Sequence, residues 1–335
     1  MAEKLSVLVL KGSGMNKDEL VPSKVTTDWD ITILEVGTDL DAVRAKAVEV
    51  DAIVGGGIPG GIPDVTPGGA RLRLYQAPFT GYDWITPADL PKGAVFCNTH
   101  EHETTIAEHL LAGMLEFQTG LMRDTHPLMR ANSYSGRSIN RGPRHRELRG
   151  ATVGIIGYGM IGREVARRCK AFDMRVMAVS RTRRDEPGLV DWYGTMDQLD
   201  SLLAESDFII CCAPGGGATR GMINARSFSL MKRGAVIANV GRGEVIDEAA
   251  LYNALSSRRI RGGIIDVWYV YPSAEDPNPW PSRFPFQKLD NVIMSPHNSA
   301  WTAEMSDRRW TFVAGNLDRL ARGEPLRNIC FEGER

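Results

Sequence analysis

Val153-Gly154-Ile155-Ile156-Gly157-Tyr158-Gly159-Met160-Ile161-Gly162 is the stretch that decides the fold. An apolar run of strand length meets three glycines spaced GxGxxG, and a helical pattern follows through Phe172. Gly157 permits the tight turn, Gly159 lets the backbone approach a pyrophosphate, and Gly162 lets helix and strand pack closely. The N-terminus of such a helix offers free N–H groups and positive potential to phosphates. A glycine turn between strand and helix is the context that a dinucleotide site requires.

Outward from this turn, short apolar runs alternate with longer amphipathic ones, which predicts an α/β fold with parallel sheets flanked by helices. Expected strands before the turn are Ser6–Leu10, Thr32–Val36, Ala52–Val54, Leu72–Tyr75 and Ala94–Cys97. Those from the turn onward are Thr152–Ile156, Arg175–Val179, Phe208–Cys212, Ala235–Asn239, Gly263–Val267 and Val292–Met294. Helical spacing predicts helices at Asp39–Val48, Thr104–Leu121, Met196–Glu205, Ala225–Met231, Asp247–Ser257 and Thr302–Arg322. Between Arg123 and Arg149 the chain is rich in Arg, Ser, Asn, Gly and His and reads as an irregular connection. Gly55–Gly69 is rich in Gly and Pro, and no internal repeat is visible.

A chain of 335 residues favours two domains over one core. Hydrophobic residues at 43% and charged residues at 24% are ordinary for a soluble globular protein. A formal net charge of -1 gives no electrostatic case for nucleic acid or an anionic membrane. The apolar run Leu5–Leu10 is too short for a signal peptide, and no run approaches the ~20 apolar residues of a membrane helix. Cys97, Cys169, Cys211, Cys212 and Cys330 form no CxxC pair. They read as reduced, mostly buried thiols of a cytoplasmic protein.

The strand after the glycine turn bears on which dinucleotide binds. An NAD site usually places Asp or Glu at its end, on the ribose 2′-hydroxyl. Here the sequence is Val179-Ser180-Arg181-Thr182-Arg183-Arg184. No carboxylate is present, Arg181 can grip a 2′-phosphate bidentately, and Ser180 and Thr182 add hydroxyls. The expectation is NADP(H), with NAD(H) as the alternative if these arginines are only a solvated basic turn.

Beyond the glycines, four ordered segments resemble the D-2-hydroxyacid dehydrogenase family. Ala107-Glu108-His109 looks like its entry helix, and the run from Ser229 through Asn239-Val-Gly-Arg242-Gly243 to Leu251 resembles its arginine signature. Gly262-Gly-Ile-Ile-Asp266-Val267-Trp268 resembles the third signature, and Ser295-Pro296-His297 the histidine signature. The resemblance covers about Leu72 to Asn328. It implies two Rossmann-like domains, with a dinucleotide-binding domain (103–298) inserted into a substrate domain (1–102 and 299–335). The hinge crossings near His102 and Ser299 would border the active-site cleft. It also implies a homodimer joined through the cofactor domain, and a contact from Asp266 to the nicotinamide carboxamide. The coenzyme set expected is Gly157, Gly159, Met160, Ile161, Gly162, Ser180, Arg181, Thr182, Asp266 and Thr105.

Reducing a carbonyl requires a group to hold the substrate, positive charge at the carbonyl oxygen, and a proton donor. Arg242 suits the first two, since guanidinium stays charged and can fork onto a carboxylate and its neighbouring oxygen. His297 suits the third. The family's glutamate, five residues after the aspartate, is Tyr271 here. A phenol can bond imidazole but does not stabilise imidazolium as a carboxylate does, so a less basic His297 is expected. Glu275 and Asp276 are alternative partners for the histidine. Formate dehydrogenases, which are relatives, also lack the glutamate, and Trp268 and Asp276–Pro281 resemble them. His102, where formate enzymes place an asparagine, disfavours formate.

Substrate contacts are expected at Gly56, Gly57, Phe79 and Arg242. Backbone N–H groups at Gly55-Gly56-Gly57 can form a carboxylate nest or a plain surface turn. His100, Glu101, His102 and Glu103 are too close in sequence to converge on one ion, so no metal is expected. The sequence thus points to hydride transfer between NADP(H) and a small 2-keto or 2-hydroxy acid. Alternatives are a dehydrogenase of another small anion, given Tyr271, or a dinucleotide-sensing protein with vestigial catalysis.

Overall fold

A computed structural model describes residues 4–11, 20–63, 71–134, 142–182, 186–273 and 275–335. The chain divides into two compact units, one of residues 1–101 with 302–335 and one of residues 102–301. Arg183 and Arg184 of the basic turn, and part of the Gly/Pro-rich run after Gly55, lie outside the described residues.

The first unit begins with β1 (Leu5–Lys11), α1 (Leu20–Lys24), β2 (Trp29–Glu35), α2 (Leu40–Ala47), β3 (Ala52–Val54), β4 (Leu74–Gln76) and β5 (Val95–Cys97). The second holds α3 (Glu103–Thr119), α4 (His126–Arg130), β6 (Thr152–Ile156), α5 (Met160–Ala171), β7 (Arg175–Val179) and β8 (Trp192–Gly194). It continues with α6 (Leu199–Glu205), β9 (Phe208–Cys211), α7 (Ala225–Leu230), β10 (Val236–Asn239), α8 (Glu248–Ser256), β11 (Gly262–Ile265) and β12 (Val292–Met294). The chain then returns to the first unit with α9 (Ala303–Arg322) and β13 (Ile329–Glu332).

The second unit's seven strands run β12-β11-β10-β9-β6-β7-β8, all parallel. From β6 outward this is the doubly wound order in which successive crossovers reverse direction between β6 and β9. Both sheet faces are covered, so the strands read as nearly unbroken apolar runs rather than alternating ones. In β6, Val153 and Ile155 join the core shared with α3 and α5, and Ile156 joins the opposite one with Leu202 and Phe228. Gly113 brings α3 close to β11, since a Cβ there would sit 2.8 Å from Ile264 Cδ1.

The first unit's sheet differs in order, β13-β5-β4-β3-β1-β2, with β13 antiparallel at one edge. Trp310, Val313, Leu317 and Leu320 turn one face of α9 onto Val7, Val9, Ala52 and Leu74. The helix starts at Thr302, whose hydroxyl accepts from Met305 N–H at 3.1 Å, and stops at Gly323 in the left-handed region.

The stretch after α3 is less irregular than its composition suggests. Gly120 (φ +58°) ends α3, a wide π turn covers Leu121–Thr125, and α4 follows with Pro127 in its first turn. The Glu116 carboxylate accepts from Met122 and Arg123 N–H and holds the turn. Proline pre-sets helical φ at a helix start, and it is the one local signal for α4.

Candidate active site

β6 and β9 lie side by side at the point where the crossovers reverse, and open α/β sheets bind ligands outside the carboxyl ends of such strands. The glycine turn leaves β6 at this point. Gly157 has φ +90°, and a Cβ on it would stand 2.7 Å from Ala213 N and 2.8 Å from Ala213 Cα, just beyond β9. Backbone cannot yield as a side-chain tip does, so only glycine fits. A Cβ on Gly162 would meet Gly157 O at 3.0 Å, which fixes how tightly α5 packs under the turn. A Cβ on Gly159 would meet nothing within 4 Å. That space, in front of the first N–H groups of α5, fits a pyrophosphate. Met160 and Ile161 form the first turn of α5, and Met160 is exposed.

Ser180, Arg181 and Thr182 follow β7. Arg181 and Thr182 are exposed, and Arg181 makes no ion pair among the described residues. The Ser180 hydroxyl donates to the Thr182 carbonyl at 2.7 Å and lies 2.6 Å from the Tyr193 hydroxyl. Tyr193 comes from β8, a strand that the sequence pattern does not reveal.

Arg242 follows β10, where three neighbours shape its turn. Asn239 Nδ2 donates to Arg242 O at 2.9 Å, and Gly241 N–H donates to Asn239 Oδ1 at 3.2 Å. Gly241 presses on Ala213 O and Gly243 on Trp268 O so closely that neither position has room for a Cβ. Gly215 lies against the Arg242 stem, where a Cβ would be 3.0 Å from Arg242 Cγ and 2.8 Å from Glu244 Oε1. The Glu244 carboxylate accepts from Gly216 N–H at 2.8 Å and pairs with Arg220 at 2.6 Å, tying this glycine-rich loop to the arginine turn.

His297 follows β12 in a turn held by Asp266, which follows β11 and is 1% exposed. The Asp266 carboxylate accepts from Ser295 Oγ at 2.6 Å, from Asn298 N–H at 3.0 Å, and from both the N–H and the hydroxyl of Ser299. Trp268 Nε1 donates to Ser295 O at 2.8 Å, and His109 Nε2 lies 3.3 Å from Ser295 Oγ. Inside this clamp His297 has φ +56°, a left-handed conformation that side-chain-bearing residues seldom take. The expected carboxamide partner, Asp266, is thus surrounded by protein donors.

The Tyr271 ring lies 5.6 Å from the His297 ring, centroid to centroid. Its hydroxyl accepts from Trp268 N–H at 3.1 Å, and among the described residues it makes no hydrogen bond to His297. Glu275 is exposed with its carboxylate bonded to Ser273, Asp276 accepts from Asn278 N–H at 3.2 Å, and among the described residues neither pairs with the histidine. Partial desolvation sets the basicity of His297, lowering its pKa from the ordinary value; the Asp266 charge opposes this and the Arg242 charge adds to it. Burial likewise raises the pKa of Tyr271, which stays a neutral phenol near pH 7.

Thr105 sits in the first turn of α3 with its hydroxyl on His102 O at 2.9 Å. In the first unit, Gly56 and Gly57 follow β3, and neither N–H donates to a protein acceptor among the described residues. A Cβ on Gly56 would meet Phe79 at 3.6 Å, and one on Gly57 would meet Trp84 at 3.1 Å. Phe79 and Trp84 pack edge to face with centroids 6.2 Å apart. Trp84 is the contact that the sequence pattern does not supply; an aromatic residue in a loop gives no periodic signal.

Residues 112–299 match the family model described as "D-isomer specific 2-hydroxyacid dehydrogenase, NAD binding domain". A D-3-phosphoglycerate dehydrogenase of Archaeoglobus fulgidus is 31% identical over 330 residues, covering 94% of this chain and 54% of that protein. The chain therefore spans about half the length of that relative. A hydroxypyruvate reductase of Thermotoga maritima is 31% identical over 296 residues, with 88% of this chain and 89% of that protein covered. Among solved structures, an NADPH-dependent glyoxylate/hydroxypyruvate reductase of Sinorhizobium meliloti, in complex with NADP and malonate, superposes with a TM-score of 0.76. It is 24% identical, and 99% of each chain is covered.

Proposed function

This chain belongs to the D-isomer-specific 2-hydroxyacid dehydrogenase family, nicotinamide-dependent oxidoreductases acting on CH–OH groups, and from that premise we propose that it reduces a small 2-keto acid with NADPH. Glyoxylate and hydroxypyruvate are the substrates to try first. The observation that carries this reading is positional: Arg242 and His297 follow β10 and β12 of the same parallel sheet whose strand β6 ends in the glycine turn.

A nicotinamide coenzyme on the glycine turn supplies the two electrons and the hydrogen that reach the carbonyl carbon. Arg242 forks onto the substrate carboxylate and carbonyl oxygen, and its charge stabilises the negative charge that develops there. His297, protonated, gives its proton to that oxygen, and Asp266 acts through the 295–299 turn to hold the ring in place. Gly56 and Gly57 offer N–H groups to a carboxylate, and Phe79 favours a compact or apolar substituent. NADPH is preferred to NADH because Arg181 is exposed and free of carboxylate partners among the described residues.

The chain acts in this reading as a cytoplasmic homodimer joined through residues 102–301. Leu121, Met122, Met129 and Tyr134 on that unit are exposed apolar side chains, as an interface needs. Free cysteines, with burial pushing the Cys97 and Cys169 thiols up to about 12, suit a reducing compartment. No helix among the described residues is long and apolar enough to cross a membrane.

The test is oxidation of NADPH and NADH against a panel of small 2-keto acids, with wild type and His297→Ala. Turnover by wild type and its loss in the alanine variant is the expected result. Activity that survives the change removes His297 as the proton donor. Coenzyme fluorescence quenching with no turnover on any acid favours a dinucleotide sensor.

A further inference from the structure

Tyr193 stands outside every signature, on a strand of three residues, yet its hydroxyl is built into the turn after β7. Ser180 donates its single hydroxyl hydrogen to the Thr182 carbonyl at 2.7 Å. The Tyr193 hydroxyl, 2.6 Å from Ser180 Oγ, is then the donor in that contact, and it lies 3.4 Å from Thr182 O as well. The three groups thus form a short chain of bonds, from Tyr193 to Ser180 to the Thr182 carbonyl, that spans Arg181. In this arrangement Ser180 has no hydrogen left to give a phosphate, so its hydroxyl serves the turn instead.

The brace reaches back to the glycine turn. The Tyr193 ring packs edge to face on Tyr158, with centroids 5.4 Å apart. Tyr158 is the residue between Gly157 and Gly159, and its hydroxyl donates to Glu186 Oε2 at 2.9 Å. Arg163, from α5, pairs with the same carboxylate at 2.8 Å. Glu186 is therefore engaged and charge-balanced, while Arg181 is left exposed on the braced turn.

We propose that Tyr193 is a positioning residue for coenzyme choice: through Ser180 and the Thr182 carbonyl it fixes the turn that presents Arg181 to the 2′-phosphate of NADPH. The inference rests on the coenzyme reading given above. A phosphate at this position meets Arg181 on a backbone turn that is already fixed; NADH, which lacks the phosphate, gains nothing from the brace.

The experiment measures dissociation constants of NADPH and NADH, by coenzyme fluorescence, for the full chain as wild type, Tyr193→Phe and Ser180→Ala. Tyr193→Phe keeps the ring on Tyr158 and removes one hydroxyl. The expected result is NADPH binding weakened about three- to ten-fold, the scale of one lost hydrogen bond, with NADH binding within about two-fold of wild type. Ser180→Ala gives the same selective loss, and the double variant adds little because both act through one chain of bonds. Equal weakening of both coenzymes, or no change in either, overturns the inference. Wild type that prefers NADH overturns the coenzyme reading instead, and the shift in the NADPH-to-NADH ratio in Tyr193→Phe still decides whether the brace sets coenzyme choice. Should Tyr193→Phe fail to fold, Ser180→Ala alone decides the matter by the same two affinities.

Discussion

Two glycine-rich turns, Gly157–Gly162 and Gly55–Gly57, each leave an inner strand of a largely parallel sheet, yet glycine is there for different reasons. At Gly157 the neighbour is backbone and φ is +90°, so the chain path itself forbids a side chain. At Gly56 and Gly57 φ is ordinary, and the space a methyl would take is bounded by the rings of Phe79 and Trp84. The first turn is rigid, as the proposed coenzyme mount requires. The second is a wall whose shape follows its side chains, as the proposed substrate contact at Gly56 and Gly57 requires.

Substitution by alanine along the glycines separates these cases. Gly157→Ala is the largest expected effect: left-handed strain of about 1–2 kcal/mol adds to crowding of about 1–3 kcal/mol. Melting temperature falls and coenzyme affinity drops by about two orders of magnitude; calorimetry and fluorescence titration check both. A variant that binds NADPH normally would show that the turn is not locked by its backbone contact.

Gly215→Ala comes next, because its neighbours are the Arg242 stem and the Glu244 carboxylate, which can move. Stability changes little, while KM for the 2-keto acid rises about ten-fold as the guanidinium is displaced, with coenzyme affinity unchanged. An unchanged KM would mean that Arg242 is not positioned by this loop.

A change in pH response is the third effect. In the proposed reduction His297 is the acid only while protonated, and desolvation holds its pKa below the ordinary imidazole value. Reduction therefore weakens as pH rises through that lowered value. Tyr271→Glu puts a carboxylate where a phenol now faces the imidazole and moves this limb upward by about one pH unit. Identical pH–rate profiles would exclude Tyr271 as a determinant of His297 basicity. The smallest effect is in the first unit: Gly57→Ala asks Trp84 to shift by a few tenths of an ångström and changes KM by about two- to three-fold. A loss as large as that at Gly157 would erase the contrast between the turns.

Legibility in the sequence follows the same division. The glycine turn, the strands before Arg242 and His297, and the long helices α3 and α9 announce themselves because strand–turn–helix patterns and apolar periodicity are local. The strand β8 does not: Trp192–Gly194 is three residues long, and it forms only because β7 offers a free edge. The short helix α1, the edge strand β13 and the π turn at Leu121–Thr125 escape for similar reasons. Among candidate site residues, Arg242 and His297 are proposed from the signatures they lie in. The clamp of Asp266 on Ser295, Asn298 and Ser299 is not legible there, since those partners are about 30 positions away and meet only when β11 and β12 pair. Ser180 reads in the sequence as a phosphate ligand because its partner, Tyr193, belongs to the strand that the pattern conceals.

The backbone angle at His297 has a practical corollary for anyone redesigning the proposed proton donor. At φ +56°, whatever replaces the imidazole must also tolerate a conformation that asparagine accepts readily and that alanine, glutamate or lysine resist. Chemistry and conformer are therefore inherited together at this position. A library that swaps acids and bases there will sort its members by how willingly their main chain curls as well as by how well they give up a proton, and asparagine is the control that keeps the two apart.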